Sequence, residues 1–506
     1  MTNKFSQELN KIFYENKKKV YLNIKNKDYT FNYLDKKSNQ IANLIVTKIN
    51  QGDKILIAAD KNIIIFSTIF ACLKIGSPYS IIDFEMPIDR LKKIIKKFNP
   101  KLIISNKIND LKKIKPKNKL LLSKKNIDKN NTSLKEIYIP DSLPAYIMFT
   151  SGSTGFPKGA IIERNSILNF IKTSKNKFKI INSDILTNVN PIYFDNSIFD
   201  IYVSFFNAIK LVIFQNEDVK KPKKLFKILI KNKCSSWFST PSLLIYLLKL
   251  GFINKKNFNS INKIIFGGEG FPKPQLKEII NLLQNKFFYN VYGPTEGTCI
   301  CSSHLIKKKD LYNLNGYVTI GKIWKDFKFM IGKTSQKKIF NSRGELILFG
   351  PNISRGYIGD KLQTKRAFIN KKNTINLPGY KTGDIVKNLG ANGQLYFVGR
   401  KDTQVKVMGH RIELNEIELS LNQIAGVNEA IVFTSSYQNL NNKIIAFVSS
   451  KSMKLKKDYV YEILKKKLPN YMIPSNIFLV NNLLKNSNNK IDRVKIKKEY
   501  EKRTFI

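Results

Sequence analysis

A loop of nine residues between two apolar runs carries groups that can bind a polyphosphate. Residues 151–159 read SGSTGFPKG and supply three hydroxyl groups, three glycines and one lysine. Glycine backbone N–H groups, hydroxyls and a lysine ammonium can together wrap a triphosphate. The loop is not a Walker A loop, GxxxxGKS or GxxxxGKT, because Lys158 precedes Gly159 and has no adjacent hydroxyl for a magnesium ion. The predicted phosphate-binding residues are Thr150, Ser151, Gly152, Ser153, Thr154, Gly155 and Lys158, although the stretch alone would also fit a flexible hairpin.

The flanks of this loop predict the elements that hold it. LPAYIMF before it and GAIIE after it are apolar runs of strand length, so the loop joins two strands without a helix N-terminus beside it. From about residue 54 to residue 291, short β-type runs alternate with helix-type segments, which is typical of a largely parallel sheet covered by helices. Such sheets bind ligands at the carboxyl ends of their strands.

Two later parts of the chain have different sequence patterns. From about residue 343, glycine-punctuated runs such as GELILFG and GQLYFVGR predict a small antiparallel part. After residue 400, NEIELSLNQI places Ile417, Leu421 and Ile424 on one helical face, and two strand-like runs and a second helix follow.

These patterns predict an α/β protein with two domains. The large N-terminal domain, residues 1–399, is expected to contain mostly parallel, helix-covered sheets plus the small antiparallel part. The small α+β C-terminal domain is expected to span residues 400–506. The Lys/Asn-rich stretch 106–135 is expected to be a mobile surface segment.

The composition fits sizeable cores, because 42% of the 506 residues are hydrophobic and 11% are aromatic. A net charge of +51 raises the alternative of a nucleic-acid-binding protein. The lysines are spread over nearly every surface-type segment, however, whereas nucleic-acid modules concentrate their charge. We therefore expect compositional drift, no specific nucleic-acid partner and a modest attraction to acidic proteins.

Cysteines and apolar segments exclude several other classes. The four cysteines show no paired metal-type spacing and only two histidines exist, so we expect neither a zinc site nor a disulfide framework. The N-terminus lacks the apolar run of a signal peptide, and the longest apolar run, IIIFSTIFACL, is shorter than the ~20 residues that span a bilayer. We expect a cytoplasmic protein with no membrane insertion.

Four further motifs follow the loop in order: YGPTEGT at 292–298, YKTGD at 380–384, GRKDTQVKVMGHRIELNEIE at 399–418 and NSNNKIDR at 486–493. Alone, each has an ordinary explanation, such as an aspartate that caps a glycine turn. Together with SGSTGFPKG, they resemble the adenylate-forming superfamily, which includes acyl-CoA synthetases, luciferases and amino-acid adenylation domains. The resemblance covers nearly the whole chain, starting with LKIGSPYSIIDFEMPIDRL at 73–91.

The resemblance implies ATP and Mg2+ as cofactors, and it implies that residues 1–399 form the adenylation core that binds ATP and an amino acid. A carboxylate must attack the α-phosphate of ATP, so the site has to stabilise several negative charges. By resemblance, Glu296 is the ligand through which magnesium reaches the phosphates, and Thr295 contacts the α-phosphate. Asp384 would accept both ribose hydroxyls, with Arg400 and Tyr292 as further nucleotide contacts.

The resemblance also implies two half-reactions at one site. Lys490 would reach the α-phosphate and the carboxylate oxygens during adenylation. Asp402 matches the hinge about which the small, mobile C-terminal domain then rotates, withdrawing Lys490 and presenting VKVMGHR to a thiol. Gly409 would line the route of a pantetheine arm, where a side chain would obstruct it. His410 replaces the commoner aromatic residue there, and we assign it to packing.

The segment NPIYFDNSIFDIYVSFF, residues 190–206, bears on the class of acid. Its FDNSIFD resembles the motif of amino-acid adenylation domains in which the first acid, here Asp195, pairs with the substrate α-ammonium group. A buried carboxylate is costly unless a cation satisfies it, so an amino acid explains Asp195 better than a fatty acid; an internally salt-bridged aspartate is the alternative. The pocket positions carried over from these domains are Asn196, Phe199, Val291, Cys299 and Ile300, which suggest a small or medium apolar amino acid.

The second acid, Asp200, and SSWFSTPSLL at 235–244 are similar to stand-alone members of the family such as D-alanine carrier protein ligase. We expect no fused carrier domain, so a separate phosphopantetheinylated carrier protein would accept the product. The predicted enzyme is an AMP-forming ligase that adenylates D-alanine or another small or medium amino acid and transfers it to the carrier's thiol. The alternatives are an acyl- or aryl-CoA ligase that uses free coenzyme A, and a non-catalytic basic protein on an inherited fold.

Overall fold

A computed structural model describes residues 3–152, 157–332, 342–370, 375–389, 393–435, 443–450, 455–485 and 491–503. Its strands are β1 Val20–Ile24, β2 Lys27–Thr30, β3 Ile55–Ala58, β4 Tyr79–Ile82, β5 Leu102–Ser105, β6 Lys119–Leu121, β7 Pro144–Thr150, β8 Lys158–Glu163, β9 Ile185–Asn188, β10 Lys210–Ile213, β11 Ser236–Ser239, β12 Lys263–Gly267, β13 Phe287–Tyr292, β14 Ser302–Leu305, β15 Lys322–Ile323, β16 Lys328–Ile331, β17 Arg343–Phe349, β18 Phe368–Ile369, β19 Gly379–Asn388, β20 Leu395–Arg400, β21 Gln404–Val407, β22 His410–Glu413, β23 Glu429–Ser435, β24 Lys443–Ser449 and β25 Asn476–Val480.

The α-helices are α1 Lys4–Glu15, α2 Phe31–Val46, α3 Ile63–Ile75, α4 Ile88–Phe98, α5 Ile108–Ile114, α6 Lys124–Ile127, α7 Arg164–Lys177, α8 Asn196–Ile198, α9 Ser204–Phe206, α10 Asn216–Val219, α11 Pro222–Lys231, α12 Pro241–Lys249, α13 Lys273–Leu282, α14 Lys361–Ala367, α15 Leu414–Asn422, α16 Lys457–Lys467 and α17 Arg493–Arg503. A π-helical turn covers Phe199–Val203, and a 3-10 turn covers Thr295–Gly297.

The chain divides into two compact units. The first consists of Met1–Asp83, Lys97–Phe149 and Gly159–Lys401, and the second of Phe84–Lys96, Thr150–Lys158 and Asp402–Ile506. The predicted division of roles between residues 1–399 and residues 400–506 stays a prediction.

A nine-stranded sheet in the first unit has the order β15-β14-β13-β12-β11-β9-β10-β1-β2. Its middle strands, from β13 to β1, run parallel. At the edges, β2 pairs antiparallel with β1, β14 with β13, and β15 with β14. The carboxyl ends of the parallel strands therefore share one edge, where the connecting turns can meet.

A second sheet of the first unit, of order β6-β5-β3-β4-β7-β8, carries the predicted phosphate loop between its last two strands. Strands β3, β4 and β5 are buried along their whole length, as expected for parallel strands covered on both faces. Helix α3 packs in this core because it is apolar nearly all round, and it begins where the Asn62 side chain accepts the Ile65 N–H and ends at Gly76.

A smaller antiparallel sheet completes the first unit. Its strands have the order β16-β17-β19-β18, with β20 also paired to β19. The second unit contains the hairpin β21-β22 and the three-stranded sheet β23-β24-β25, on which Ile417 and Leu421 of α15 are buried. The predicted α/β class, with parallel helix-covered sheets, a small antiparallel part and a small C-terminal α+β part, is confirmed.

The Lys/Asn-rich stretch 106–135, expected from the sequence to be a mobile surface segment, contains regular structure. It forms α5, β6 and α6, and buries Leu111, Leu120, Leu122 and Ile127. The apolar residues recur every few positions among the lysines, which is sufficient to anchor short elements while the lysines stay in water. Over the part of the chain that is described, no helix is long and apolar enough to cross a membrane.

Candidate active site

Two predicted substrate contacts meet at the carboxyl edge of the nine-stranded sheet. Asp195 lies in the connection after β9, and Thr295 lies in the turn that follows β13. The Thr295 hydroxyl donates a hydrogen bond of 2.6 Å to Asp195 Oδ2. The residue predicted to contact the α-phosphate therefore touches the residue predicted to bind an ammonium group.

The YGPTEGT turn is folded tightly on itself. A Cβ atom at Gly293 would lie 2.2 Å from the carbonyl oxygen of Cys299, so only glycine fits there. Thr298 and Cys299 both adopt left-handed backbone conformations, with φ of 59° and 71°. Residues other than glycine rarely adopt this backbone conformation. It persists where the surrounding structure enforces it, and such residues cluster at functional sites.

The predicted pocket positions are mostly buried beside this turn. Phe199, Val291, Cys299 and Ile300 are at most 5% exposed and belong to one large hydrophobic core. Burial raises the pKa of the Cys299 thiol well above its ordinary value. Asn196 opens α8 just before the π-helical turn, a rare conformation that is frequent at functional sites.

Asp200, the second acid of FDNSIFD, is fully buried in that π-helical turn. Its Oδ2 atom accepts hydrogen bonds from Asn188 Nδ2 at 2.8 Å and Asn190 Nδ2 at 3.1 Å. Burial raises the pKa of Asp200 to about 7, although these amides and the nearby charge of Lys61 oppose the rise. Asp200 therefore titrates close to neutral pH.

The predicted nucleotide contacts form a hydrogen-bonded set. Asp384, 5% exposed in β19, accepts a hydrogen bond of 2.5 Å from the Tyr292 hydroxyl and an ion-pair contact of 2.7 Å from Arg400 Nη1. Strand pairing explains the ion pair, because Asp384 and Arg400 stand opposite each other in β19 and β20. Gly383 leaves room for this ion pair, since a Cβ atom at its φ of 71° would lie 2.6 Å from Arg400 Nη2 and the guanidinium would have to move.

Glu296 is fully buried and accepts a hydrogen bond of 2.6 Å from the Tyr357 hydroxyl at Oε1. Within the described residues, no group of three or more His, Cys, Asp or Glu side chains could hold a metal ion. One carboxylate suits Mg2+ that is carried by substrate phosphates and keeps several waters, rather than Mg2+ held by the protein alone. The residues therefore fit ATP-bound magnesium.

The described part of the phosphate loop belongs to the second unit. Ser151 Oγ donates a hydrogen bond to the Arg411 carbonyl, and Lys158 Nζ lies 4.0 Å from Glu413 Oε1. Thr150 and Lys158 face each other across the base of the loop, where the Thr150 hydroxyl donates to the Lys158 carbonyl at 3.5 Å. Gly152 follows in irregular backbone, whereas Ser153, Thr154 and Gly155 lie outside the described residues.

The predicted hinge and thiol route lie at the start of the C-terminal segment. Asp402 accepts the Gln404 N–H at 3.2 Å, and Met408 and Gly409 form the two-residue turn between β21 and β22, with φ of 51° and 80°. His410 stacks on Tyr471 with ring centroids 3.7 Å apart, and burial lowers its pKa to about 4, which fits the assignment to packing. Lys490 lies outside the described residues, so its role stays a prediction.

The sequence patterns did not predict the hydrogen-bond partners of the two fully buried acids, Glu296 and Asp200. Tyr357 lies 61 residues after Glu296, and Asn188 and Asn190 precede Asp200 by 12 and 10 residues. The available signal was the pair of asparagines that brackets a strand end in TNVNP, next to an acid-bearing apolar run.

Comparison with known proteins identifies the family. Residues 11–358 match the AMP-binding enzyme family. Bacitracin synthase 1 of Bacillus licheniformis is 32% identical over 92% of this chain, which spans 9% of that protein. D-alanine–D-alanyl carrier protein ligase of Bacillus licheniformis is 28% identical over 85% of this chain and 86% of that enzyme.

A solved structure agrees on the fold. The o-succinylbenzoate CoA synthetase of Bacillus subtilis superposes with a TM-score of 0.84 at 19% identity, over 97% of this chain and 98% of that one. The resemblance inferred from the motifs is thus confirmed. The chain belongs to the AMP-binding enzyme family and is an adenylate-forming ligase.

Proposed function

We propose that this enzyme adenylates an amino acid with ATP and transfers it to the phosphopantetheine thiol of a separate carrier protein. The observation that carries the proposal is the 2.6 Å hydrogen bond between Thr295 and Asp195. In an α-amino acid the ammonium and carboxylate groups are separated by a single carbon atom. An anchor for the ammonium must therefore lie next to the groups that contact the reacting phosphate, as Asp195 does.

The surroundings of Asp195 support an ionic role. Asp195 is half-buried rather than the buried carboxylate expected from the sequence, and it lies close to the Cys299 thiol, which is nearly inaccessible to water. Partial shielding from water strengthens the attraction between such a carboxylate and a cation. A substrate with an ammonium group complements this arrangement better than a fatty acid does.

The nucleotide would be held by the other acids. Asp384, which contacts Arg400 and Tyr292, would accept the ribose hydroxyls. Glu296 would hold the ATP-bound Mg2+, and this cation would neutralise negative charge on the phosphates. Lys490 is proposed to assist adenylation, as the matching lysine of the family does.

The acceptor is proposed from the relatives. The 28% identical ligase acts, by its name, on a D-alanyl carrier protein, which favours a carrier protein as acceptor and D-alanine as the first candidate acid. Free coenzyme A is the second candidate acceptor, because the fold also matches that of a CoA synthetase over 97% of this chain. The fold does not distinguish a carrier protein from coenzyme A as the acceptor, because both present the same pantetheine arm to the enzyme.

The test is ATP–pyrophosphate exchange with all proteinogenic amino acids, D-alanine, other D-isomers, and matched acids without an amino group, such as propionate. We expect exchange with one or a few amino acids and none with the deaminated analogues. Asp195→Ala should lower exchange with the preferred amino acid about 100-fold, the upper end for a hydrogen bond to a charged group. The control is Asp128→Ala, which removes an exposed acid paired with Lys37.

Two results would contradict the proposal. Exchange confined to fatty or aryl acids would assign the enzyme to the CoA-ligase alternative. Amino-acid exchange that Asp195→Ala leaves intact would show that Asp195 does not bind the ammonium group. With the acid known, transfer of the radiolabelled acyl group to a phosphopantetheinylated carrier or to coenzyme A decides the acceptor.

A further inference from the structure

One short segment of the first unit is hydrogen-bonded to two parts of the candidate site. On one side, Ile161 N donates to Gly356 O at 3.1 Å and Ile358 N donates to Gly159 O at 2.8 Å, so the segment extends along β8, the strand that leaves the phosphate loop. On the other side, Ser354 N donates to the Glu296 carbonyl at 2.8 Å. Residues 352–358, here called the bridging segment, thus connect β8 with the turn that carries Glu296.

The Thr298 side chain adds a second bond on the Glu296 side. Its hydroxyl donates to the Asn352 carbonyl at 2.7 Å. The turn is therefore fixed to the bridging segment both before and after Gly297. Backbone bonds of this kind place the Glu296 main chain but leave the orientation of its long side chain open.

Tyr357 constrains that side chain. Its hydroxyl donates to Glu296 Oε1 at 2.6 Å, and both residues are at most 5% exposed. The tyrosine ring is itself held, because it packs edge-on against Phe368 at 5.2 Å and its backbone N–H donates to Thr364 Oγ1 at 2.9 Å. The position of the hydroxyl is therefore set by the fold before any ligand binds.

We propose that Tyr357 is a positioning residue that fixes the Glu296 carboxylate in the orientation that receives ATP-bound Mg2+. The inference rests on the proposed role of Glu296. A tyrosine hydroxyl suits this task because it orients one carboxylate oxygen by a hydrogen bond and adds no positive charge that would repel the metal. Carboxylates that bind metals are commonly oriented in this way, and loss of such a partner costs about 10–100-fold in metal affinity.

The experiment measures binding as well as turnover. By calorimetry, we compare the dissociation constant of α,β-methylene-ATP with Mg2+ and the dissociation constant of the same analogue with EDTA. Tyr357→Phe should raise the first constant about tenfold and leave the second unchanged. In ATP–pyrophosphate exchange, the same variant should need more Mg2+ for half-maximal rate, and excess Mg2+ should restore most of that rate.

Tyr289→Phe is the matched control. Tyr289 is also a buried tyrosine, 6% exposed in β13, with its ring 5.3 Å from that of Phe178. Its substitution removes the same atom near the same turn but away from Glu296, so both dissociation constants should stay at the wild-type value. Thermal midpoints of both variants establish that they are folded.

A double variant separates the possible failures. If Tyr357 acts through Glu296, Tyr357→Phe should have no further effect on Mg2+-dependent binding in the Glu296→Gln background. Equal weakening of binding with and without Mg2+ would overturn the inference and leave Tyr357 a structural residue. If Glu296→Gln itself does not alter Mg2+-dependent binding, the proposed role of Glu296 fails instead.

Discussion

Two buried acids of the first unit, Asp384 and Glu296, are held in different ways. Asp384 forms an ion pair of 2.7 Å with Arg400, which stands opposite it on the adjacent strand. Glu296 accepts a hydrogen bond from Tyr357, which reaches it from the bridging segment. An arginine compensates the charge of a carboxylate, whereas a hydroxyl orients it without adding charge. The proposed roles differ as well, with a ribose contact for Asp384 and a cation contact for Glu296.

The difference also concerns how each pair is built. Asp384 and Arg400 are 16 residues apart, and the register of one antiparallel pair brings them together. Glu296 and Tyr357 are 61 residues apart, and their contact depends on hydrogen bonds from the bridging segment to β8 and to the turn. We therefore expect changes at the two acids to affect different steps.

Glu296→Gln should have the largest effect. The amide keeps the size of the side chain but removes the charge that is proposed to hold ATP-bound Mg2+. The maximal rate of ATP–pyrophosphate exchange should fall about 100- to 1000-fold, as for loss of a group that stabilises developing charge.

Asp384→Asn is the matched change at the other of the two acids. It should mainly raise the KM for ATP, by about 10- to 100-fold, because the ribose is distant from the reacting phosphorus. If both variants lowered the maximal rate alike, the distinction between a metal-side acid and a ribose-side acid would be wrong.

Gly383→Ala should have an intermediate effect on the Asp384 pair. The added Cβ would lie 2.6 Å from Arg400 Nη2 and displace the guanidinium from Asp384. The KM for ATP should rise about tenfold, the lower end for a lost charged hydrogen bond. The measurement is the initial rate of exchange at varied ATP concentration.

Gly251→Ala controls for the backbone cost of that substitution. Gly251 has nearly the same φ, 72°, but no heavy atom lies within 4 Å of the position that an added Cβ would occupy. Both variants carry the left-handed strain of about 1–2 kcal/mol, so both should lose thermal stability. A KM increase in Gly251→Ala as large as that in Gly383→Ala would refute the contact with Arg400 as the cause.

Asp200, a third buried acid, should show the smallest effect, on stability. Since burial raises its pKa to about 7 from an ordinary value of 3.8, the folded protein keeps this proton where the unfolded chain has lost it. The contribution of Asp200 to the free energy of unfolding therefore falls as pH rises from about 4 to about 7. Asp200→Asn removes the titration. Between pH 5 and pH 7, the thermal midpoint of the wild type should therefore fall by about 2 °C more than that of the variant. Parallel midpoints across this range would contradict the raised pKa.

The sequence predicted those parts of the site that lie close together along the chain. The apolar runs around SGSTGFPKG form β7 and β8, and YKTGD with GRKD lies on two paired strands, so Asp384 and Arg400 could be expected to meet. The alternation of short runs likewise predicted parallel sheets, because their hydrophobic patterns are local. The family followed from the order of the motifs.

The tertiary structure alone decided which distant residues hold the acids. No periodicity in the sequence indicates that Thr295 donates to Asp195, 100 residues away, or that Tyr357 donates to Glu296. Nor did the lysine-rich stretch 106–135 indicate that its few leucines and isoleucines are buried in regular elements. Local patterns specify helices and strands because they depend on neighbouring residues. The contacts that orient a buried carboxylate depend on how separate strands and turns converge at one edge of a sheet, and this convergence is a property of the packed chain.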